Sequence, residues 1–191
     1  FIHKASGTLD LLTQAKLVAK FTPVSHNIHS LYSGYYIAEL LTLLTEDFDP
    51  APEVFDLAVR SLEQLSDPQT APLAVAVRFE LNILKLVGML PNLAECCVCG
   101  EPVESGQKFV LWVSQGGLLC SACRREEYTG RSVSAGALAV LRKLVSSDSA
   151  LSGRIHPSEK QLSECHLLAV SVITAAIGRK PATLRYINLP Q

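Results

Sequence analysis

The spacing of hydrophobic residues predicts a mainly helical protein. In three successive stretches, apolar residues recur at intervals of three and four, which is the period of an amphipathic helix. We expect helices at about 27–46, 53–65 and 71–89, separated by short breaks that each contain Asp-Pro. Three helices joined by short polar connections are typical of a helical bundle.

The same spacing predicts which side of each helix faces the core. Residues separated by three or four positions lie on one side of a helix. The predicted inner residues are Ile28, Leu31, Tyr35, Ala38, Leu41 and Leu44 in the first helix, Phe55, Ala58, Leu62 and Leu65 in the second, and Leu73, Val77, Leu81, Leu84 and Gly88 in the third.

Helical spacing returns near the C-terminus. Ser134 is placed to cap a helix that runs through Val145, and Pro157 suits the first turn of a long helix that ends near Gly178. The predicted inner residues of this last helix are Leu162, Cys165, Ala169, Val172 and Ala176.

The segment between these helix groups has a different pattern. Residues 108–113 (KFVLWV) form a strand-like run, and Gly116-Gly117 marks a turn after it. We expect a small module at 94–131 inserted into one bundle, whose two parts are 13–93 and 132–191. Trp112 is expected to pack inside the module.

The first residues resemble the end of a preceding structure. Residues 8–12 have the pattern of a strand preceded by a Ser6-Gly7 turn. Thr13 is a candidate cap for a short helix through Phe21. We therefore interpret residues 1–12 as the end of a β domain that is mostly missing from this sequence.

Composition places the chain among globular proteins. Hydrophobic residues make up 48% and charged residues 18%, and no uncharged apolar run reaches the roughly 18 residues of a membrane span. Residues 1–119 carry seven Lys or Arg against thirteen Asp or Glu (−6), and residues 120–191 carry ten against five (+5). This asymmetry favours a polyanion on the basic side and a protein partner on the acidic side. Uneven surface charge without function is the alternative.

Cysteine spacing is the strongest chemical signal. Two C-x-x-C pairs, Cys96/Cys99 and Cys120/Cys123, are separated by twenty residues. Such a pair presents two sulfur atoms to one metal from a tight turn, and two pairs complete a tetrahedral set. We therefore predict one structural Zn²⁺ bound by these four cysteines.

Other interpretations of the cysteines fit less well. Disulfides suit small secreted chains, a thioredoxin-like site needs only one pair beside a βαβ unit, and catalytic zinc keeps an open coordination position. An iron–sulfur cluster remains an alternative. Cys97 is interpreted as a spectator and Cys165 as a buried small hydrophobe.

Candidate DNA contacts are basic, and candidate catalytic groups are lacking. Arg124 and Arg125 follow the second cysteine pair, where they would contact phosphates or neutralise the metal site. A tyrosine cluster at 32, 35 and 36 would either stack on bases or pack in the core. The sequence has no phosphate loop, catalytic triad or carboxylate pair at catalytic spacing, so we expect a non-enzyme. The predicted DNA contacts are Arg124, Arg125, Arg142, Lys143, Arg179 and Lys180, which Arg185 would extend.

A run of residues that includes the first cysteine pair resembles a known family. The segment FELNILKLVGMLPNL at 79–93, followed by C-x-x-C-G at 96–100, is similar to the bacterial RecO recombination mediators. Residues 11–15, 36–40 and 116–123 resemble further segments of that family, so the likeness covers nearly the whole chain.

The resemblance implies a fold and a function. RecO proteins have an N-terminal OB-fold followed by a helical domain, which in many bacteria carries a zinc finger. They bind single- and double-stranded DNA, anneal strands, associate with RecR and the tail of the single-stranded DNA-binding protein, and assist RecA loading. By resemblance, Cys96, Cys99, Cys120 and Cys123 bind zinc in a cytoplasmic protein that associates with the nucleoid during repair.

Absence of most of the OB-fold leads us to expect weaker DNA binding. An OB-fold supplies a charged groove and stacking residues for single strands. The functional alternatives are a zinc-stabilised helical adaptor that binds only proteins, and a metalloenzyme, which the closed ligand set disfavours.

Overall fold

The structure is a computed structural model that describes residues 12–25, 27–103, 109–125, 131–145 and 157–187. The predicted strand at 8–12 and its turn lie almost wholly outside the described residues, and Leu12 itself is not in a strand.

The short helix predicted at Thr13–Phe21 is wrong, because these residues have no regular secondary structure. A helix of this length is marginal in water unless another element covers its apolar side. Leu17 and Val18 are 78% and 91% exposed, so no described part of the chain covers them.

Six helices account for most of the described chain, and their positions agree closely with the apolar spacing. Asn27 caps the first helix by accepting hydrogen bonds from the amides of His29 and Ser30. Ser158 and Gln161 form a reciprocal capping box at the fifth, so Pro157 precedes the cap and is not in the first turn. The helices are α1 Ile28–Leu44, α2 Pro52–Leu65, α3 Pro72–Leu86, α4 Ala135–Val145, α5 Glu159–Ile177 and α6 Leu184–Ile187.

Helix α3 lies at the centre of the bundle. It packs against α1, α2, α4 and α5, and it is buried on most of its circumference. A helix surrounded on several sides needs apolar residues all round, which explains the dense run of apolar residues in this stretch. Helix α6 packs on α1.

The predicted inner face of α1 is partly wrong. Ile28 and Tyr35 are 49% and 56% exposed, whereas Tyr36, Ile37 and Leu40 are completely buried. Apolar residues occur all round this helix, so spacing alone allows more than one inner face. The buried positions contact more than one element: the Tyr36 hydroxyl donates to Glu80 of α3, the Ser30 hydroxyl donates to the carbonyl of Leu65 in α2, and Gly34 faces the ring of Phe21.

The other predicted inner faces show smaller errors. Gly88 is exposed and lies beyond the end of α3. In α2, Phe55 is 67% exposed, and its neighbours Val54 and Leu57 are buried instead. In α5, the predicted inner residues are buried except Ala176, which is exposed near the end of the helix.

A four-stranded sheet lies between α3 and α4 in the sequence. Its spatial order is β1–β3–β2–β4; β1 is parallel to β3, and β2 is antiparallel to both β3 and β4. The predicted strand in KFVLWV is confirmed as β2, and Gly116 forms the predicted turn with φ of 63°. The strands are β1 Asn92–Cys96, β2 Phe109–Trp112, β3 Gly117–Leu119 and β4 Arg131–Val133.

One hydrophobic core runs through the bundle and the sheet. Phe109, Leu111 and Leu118 of the sheet are buried together with residues of α3 and α5, and half-buried Trp112 packs against this cluster. The chain is therefore mainly helical with a small sheet. No helix in the described ranges is long and apolar enough to cross a membrane.

Candidate metal centre and basic surfaces

The first cysteine pair lies in a tight turn at the end of β1. The amide of Gly100 donates to the carbonyl of Cys96 at 2.9 Å, and the amide of Cys96 donates to the carbonyl of Glu101 at 2.8 Å. Gly100 has φ of 72°, a left-handed conformation that glycine adopts without steric cost. The turn directs Cys96 and Cys99 to the same place.

The second pair follows β3 in a similar turn. The amide of Arg124 donates to the carbonyl of Cys120 at 3.1 Å, which closes the loop through Cys123. Because β1 and β3 are parallel neighbours, their carboxyl ends meet at one edge of the sheet. Each cysteine pair begins where one of these strands ends, and the sheet therefore brings the pairs together.

Close contact between the first cysteine turn and the start of β3 requires a glycine at position 117. A Cβ atom there would lie 2.6 Å from the Cβ of Cys97, which is closer than two carbon atoms can approach. The amide of Cys97 also donates to the carbonyl of Leu118 at 2.8 Å. The Gly-Gly sequence predicts a turn at this position but gives no sign of the packing role of Gly117.

Four sulfur atoms lie close enough to share one metal ion. The Sγ atoms of Cys96, Cys99, Cys120 and Cys123 are all within 4.8 Å of one another, and those of Cys99 and Cys120 are 3.8 Å apart. Tetrahedral zinc with Zn–S bonds of about 2.3 Å has sulfur atoms about 3.8 Å apart. Within the described ranges, no other group of His, Cys, Asp or Glu has this arrangement.

Hydrogen bonding and crowding give these thiols different proton affinities. Burial alone would raise the pKa of Cys96, but backbone amides of Cys120, Cys99 and Val98 lower it to about 6. Hydrogen bonding with Cys99, then Cys120, and burial raise the pKa of Cys123 to about 12. Cys96 is thus stabilised as a thiolate, whereas Cys123 resists ionisation. A cation bound by the group would favour loss of the remaining thiol protons.

The other two cysteines lie outside this group. Cys97 is exposed, and it is absent from the set that could hold a metal. Cys165 is buried in α5, and its thiol approaches the carbonyl of Ala137 at 3.5 Å. Its burial agrees with its interpretation as a small hydrophobe.

Arg142 connects α4 to the sheet from a half-buried position. Its guanidinium donates to the carbonyl of Leu93 at 2.6 and 3.0 Å and to that of Val103 at 3.2 Å. Arg142 was predicted to be a DNA contact, because local spacing gives no sign of this tertiary role.

The remaining basic residues lie on separate elements. Arg124 and Arg125 are exposed beside the second cysteine turn, Lys143 is exposed on α4, and Arg179 and Lys180 are exposed after α5. Their contact with DNA remains a prediction.

Helix α6 attaches to α1 through aromatic and carboxylate contacts. The rings of Tyr32 and Tyr186 stack with centroids 4.6 Å apart, and the Arg185 guanidinium lies 4.7 Å from the Tyr186 centroid. The Glu39 carboxylate accepts hydrogen bonds from the Ala182 amide at 2.6 Å and the Thr183 amide at 2.8 Å.

Three buried polar side chains connect α1, α3 and α5. Glu80 accepts a hydrogen bond from the Tyr36 hydroxyl at 2.7 Å and lies 2.8 Å from Nδ1 of His166. Burial raises the pKa of Tyr36, and the charge of Glu80 raises it further. Tyr36 is thus a core residue, whereas Tyr32 is half-buried and Tyr35 exposed.

Comparisons with known proteins agree with the sequence motifs. The model of the family described as "Recombination protein O C terminal" matches residues 25–185. The "DNA repair protein RecO" of Rhodopirellula baltica is 34% identical over 146 residues, which are 76% of this chain and 54% of that protein. The protein of the same name from Desulfatibacillum aliphaticivorans is 29% identical over 187 residues, which are 97% of this chain and 72% of that protein.

The chain thus spans about half the length of the first relative and nearly three quarters of the second. The family match includes all four cysteines of the candidate metal centre, the first five helices and the first two residues of α6. The chain belongs to the RecO family.

Proposed function

We propose that this chain is the helical, metal-stabilised part of a RecO-type recombination mediator that acts in DNA repair. The family match over residues 25–185 is the observation that carries this proposal. Relatives that align along most of the chain are named DNA repair proteins.

The proposed metal is one structural Zn²⁺, bound by Cys96, Cys99, Cys120 and Cys123. Four thiolates suit zinc and leave no open coordination position, so the ion would contribute folding energy and no Lewis-acid chemistry on a substrate. The close grouping of the four sulfur atoms supports this assignment.

The proposed activity is non-enzymatic. The protein would bind single- and double-stranded DNA, RecR and the C-terminal tail of the single-stranded DNA-binding protein, and would thereby assist annealing and RecA loading. These partners follow from the family resemblance. DNA affinity of this chain would come from the basic C-terminal third, where residues 120–191 carry a net +5.

Filter binding of single- and double-stranded DNA at increasing salt tests the proposal. Phosphate contacts release counterions, so affinity should fall steeply as salt increases. Metal analysis of the same sample should find one zinc ion per chain. A DNA affinity that does not change with salt would contradict the proposed phosphate contacts. A metal-free protein with an intact fold would contradict the structural zinc.

A protein-only adaptor is the second candidate. Phe48 lies between α1 and α2, and Phe55 lies on α2, both in the acidic part of the sequence. They are 94% and 67% exposed, and exposed aromatic residues are frequent at protein interfaces. Partner capture that survives nuclease treatment, with no DNA shift in gels, would favour the adaptor.

A further inference from the structure

The place where α6 packs on α1 combines cations and aromatic rings. Four of its six members come from α1 and α6, and the other two from the turn that joins α5 to α6. We call this surface the α1–α6 corner and define it as Tyr32, Tyr35, Arg179, Lys180, Arg185 and Tyr186.

The centre of the corner is a stack of three flat groups. The stacked rings of Tyr32 and Tyr186 are nearly parallel, with 16° between their planes, and Arg185 covers the Tyr186 ring. A guanidinium stacked on an aromatic ring loses little further freedom when it binds a phosphate. Arg185 is exposed, so this preorganised donor is accessible.

Glu39 is the acidic group beside the corner, and its charge is used internally. Its carboxylate accepts hydrogen bonds from the Ala182 amide, the Thr183 amide and the Thr183 hydroxyl, and Arg179 adds a favourable charge interaction. These contacts compensate the negative charge and fix α6 in place. Three cations against this one carboxylate leave the corner with a net positive charge.

Tyr35 adds an exposed ring one helical turn from Tyr32. Its side chain is 56% exposed, whereas the adjacent Tyr36 is completely buried. Nucleotide bases stack on exposed aromatic rings whatever their sequence. Bases of a duplex are already stacked on each other, so this chemistry favours a single strand.

We propose that the α1–α6 corner binds single-stranded DNA, with Tyr35 stacking on a base and Arg185, Arg179 and Lys180 contacting phosphates. This inference rests on the proposed function and assigns its DNA contacts to one surface. Arg142, which is occupied by backbone carbonyls, is excluded from that surface.

Fluorescence anisotropy with labelled oligo(dT) tests the corner in the metal-loaded protein. Tyr35→Ala should weaken binding about fivefold or more, and Tyr35→Trp should preserve it. Arg185→Ala should also weaken binding and lower the slope of log affinity against log salt by about 0.7, the value for one lost single-strand phosphate contact.

Lys160→Ala is the matched control, because it removes one exposed cation at the opposite end of α5. The rise of that helix places Lys160 about 26 Å from the α5 C-terminus. Its affinity and salt slope should equal those of the wild type. Thermal melts of each variant separate loss of contact from loss of fold, and Tyr35→Ala is informative even if Arg185→Ala loosens α6.

Two results would overturn the assignment. If the wild type binds oligo(dT) but the corner variants bind equally well, or no worse than Lys160→Ala, the corner is wrong and the proposed DNA-binding function stands. If the wild type fails to bind oligo(dT) even at low salt, the corner and the proposed DNA binding by this chain both fail.

Discussion

Cys96 and Cys120 are buried, whereas Cys99 is exposed and Cys123 half-buried, so the four-sulfur group is partly in the core and partly at the surface. Each cysteine pair contributes one sulfur atom to each environment. The buried sulfurs would transmit metal binding to the sheet, because Cys96 ends β1 and Cys120 follows β3 directly.

Replacement of one buried ligand should release the metal. Cys120→Ser removes a thiolate from the four-sulfur group, and three ligands hold zinc much less tightly than four. We expect zinc content by elemental analysis to fall well below one per chain and the fluorescence of Trp112 to shift to the red. Far-UV circular dichroism should retain most of its helical signal.

Cys97→Ser is the control for this experiment. Cys97 is adjacent to a proposed ligand but outside the four-sulfur group, so zinc content should remain at one per chain. Zinc retained by Cys120→Ser, or lost equally from both variants, would contradict the ligand assignment.

Glu39 should make the docking of α6 sensitive to acid. Burial opposes ionisation of Glu39, but hydrogen bonds from Thr183 and Ala182 outweigh it and lower the pKa below its ordinary value of 4.5. A lowered pKa in the folded protein means that the contribution to stability is complete above pH 4.5 and is lost as the pH falls through the folded value.

Amide NMR can observe this transition at one residue. The Thr183 amide, which donates to Glu39, should titrate with a midpoint below 4.5, and Glu39→Gln should abolish the transition. Glu63→Gln, on exposed α2 surface, should leave it unchanged. A Thr183 midpoint above 4.5 would show that the carboxylate does not hold α6.

At the scale of elements, sequence spacing located helices better than it oriented them. It could not choose the buried side of α1, because Tyr35 and Tyr36 are adjacent, equally apolar by type and only about 100° apart around the helix. Which side is buried depends on α3, where Glu80 accepts a hydrogen bond from the Tyr36 hydroxyl. The cysteine group was easier to predict, since two short C-x-x-C motifs can be recognised without knowing which elements pack against them.

Arg142 is a tertiary contact that no local pattern could indicate. Its hydrogen bonds to Leu93 and Val103 join α4 to the two sides of the first cysteine hairpin. Loss of a charged side chain that donates to such carbonyls destabilises a protein by about 2 kcal/mol. Arg142→Ala should therefore lower the free energy of unfolding by about that amount in urea titrations.

Arg142→Lys and Lys160→Ala are the control variants for the Arg142→Ala experiment. Lysine keeps the charge but lacks the planar fork that reaches two carbonyls at once, so its effect should be intermediate. Lys160→Ala should change stability little, as expected at an exposed surface position. If Arg142→Ala reduces DNA affinity with unchanged stability, Arg142 is a DNA contact and its structural role is minor.

At the scale of the whole molecule, residues distant in sequence share one core. The module predicted at 94–131 includes β2 and β3, yet Leu111 and Leu118 of these strands are buried in the same cluster as Leu81 and Leu168 of the bundle. Sequence periodicity reports the local period of each segment and carries no information about which segments meet. The continuous core therefore became apparent only in three dimensions.

The buried cluster of Tyr36, Glu80 and His166 should act as one unit that holds α1, α3 and α5 together. Glu80 is completely buried and bonded to both partners. Glu80→Ala removes the acceptor that the Tyr36 hydroxyl and the His166 ring share, and leaves both buried groups without it. Such a change typically lowers the free energy of unfolding by about 3–5 kcal/mol. Tyr36→Phe deletes one hydrogen bond while preserving the ring, and should cost about 1 kcal/mol.

A double-mutant cycle in urea distinguishes a coupled unit from independent contacts. If the cluster is a unit, Tyr36→Phe should cost much less in the Glu80→Ala background than in the wild type, because its partner is already absent. Val75→Ala, at a buried position on α3, is the comparison, and its cost should be nearly the same in both backgrounds. Additive costs for Tyr36→Phe and Glu80→Ala would mean that packing alone joins these helices. The conclusion that one carboxylate sets the orientation of α1 on α3 would then be wrong.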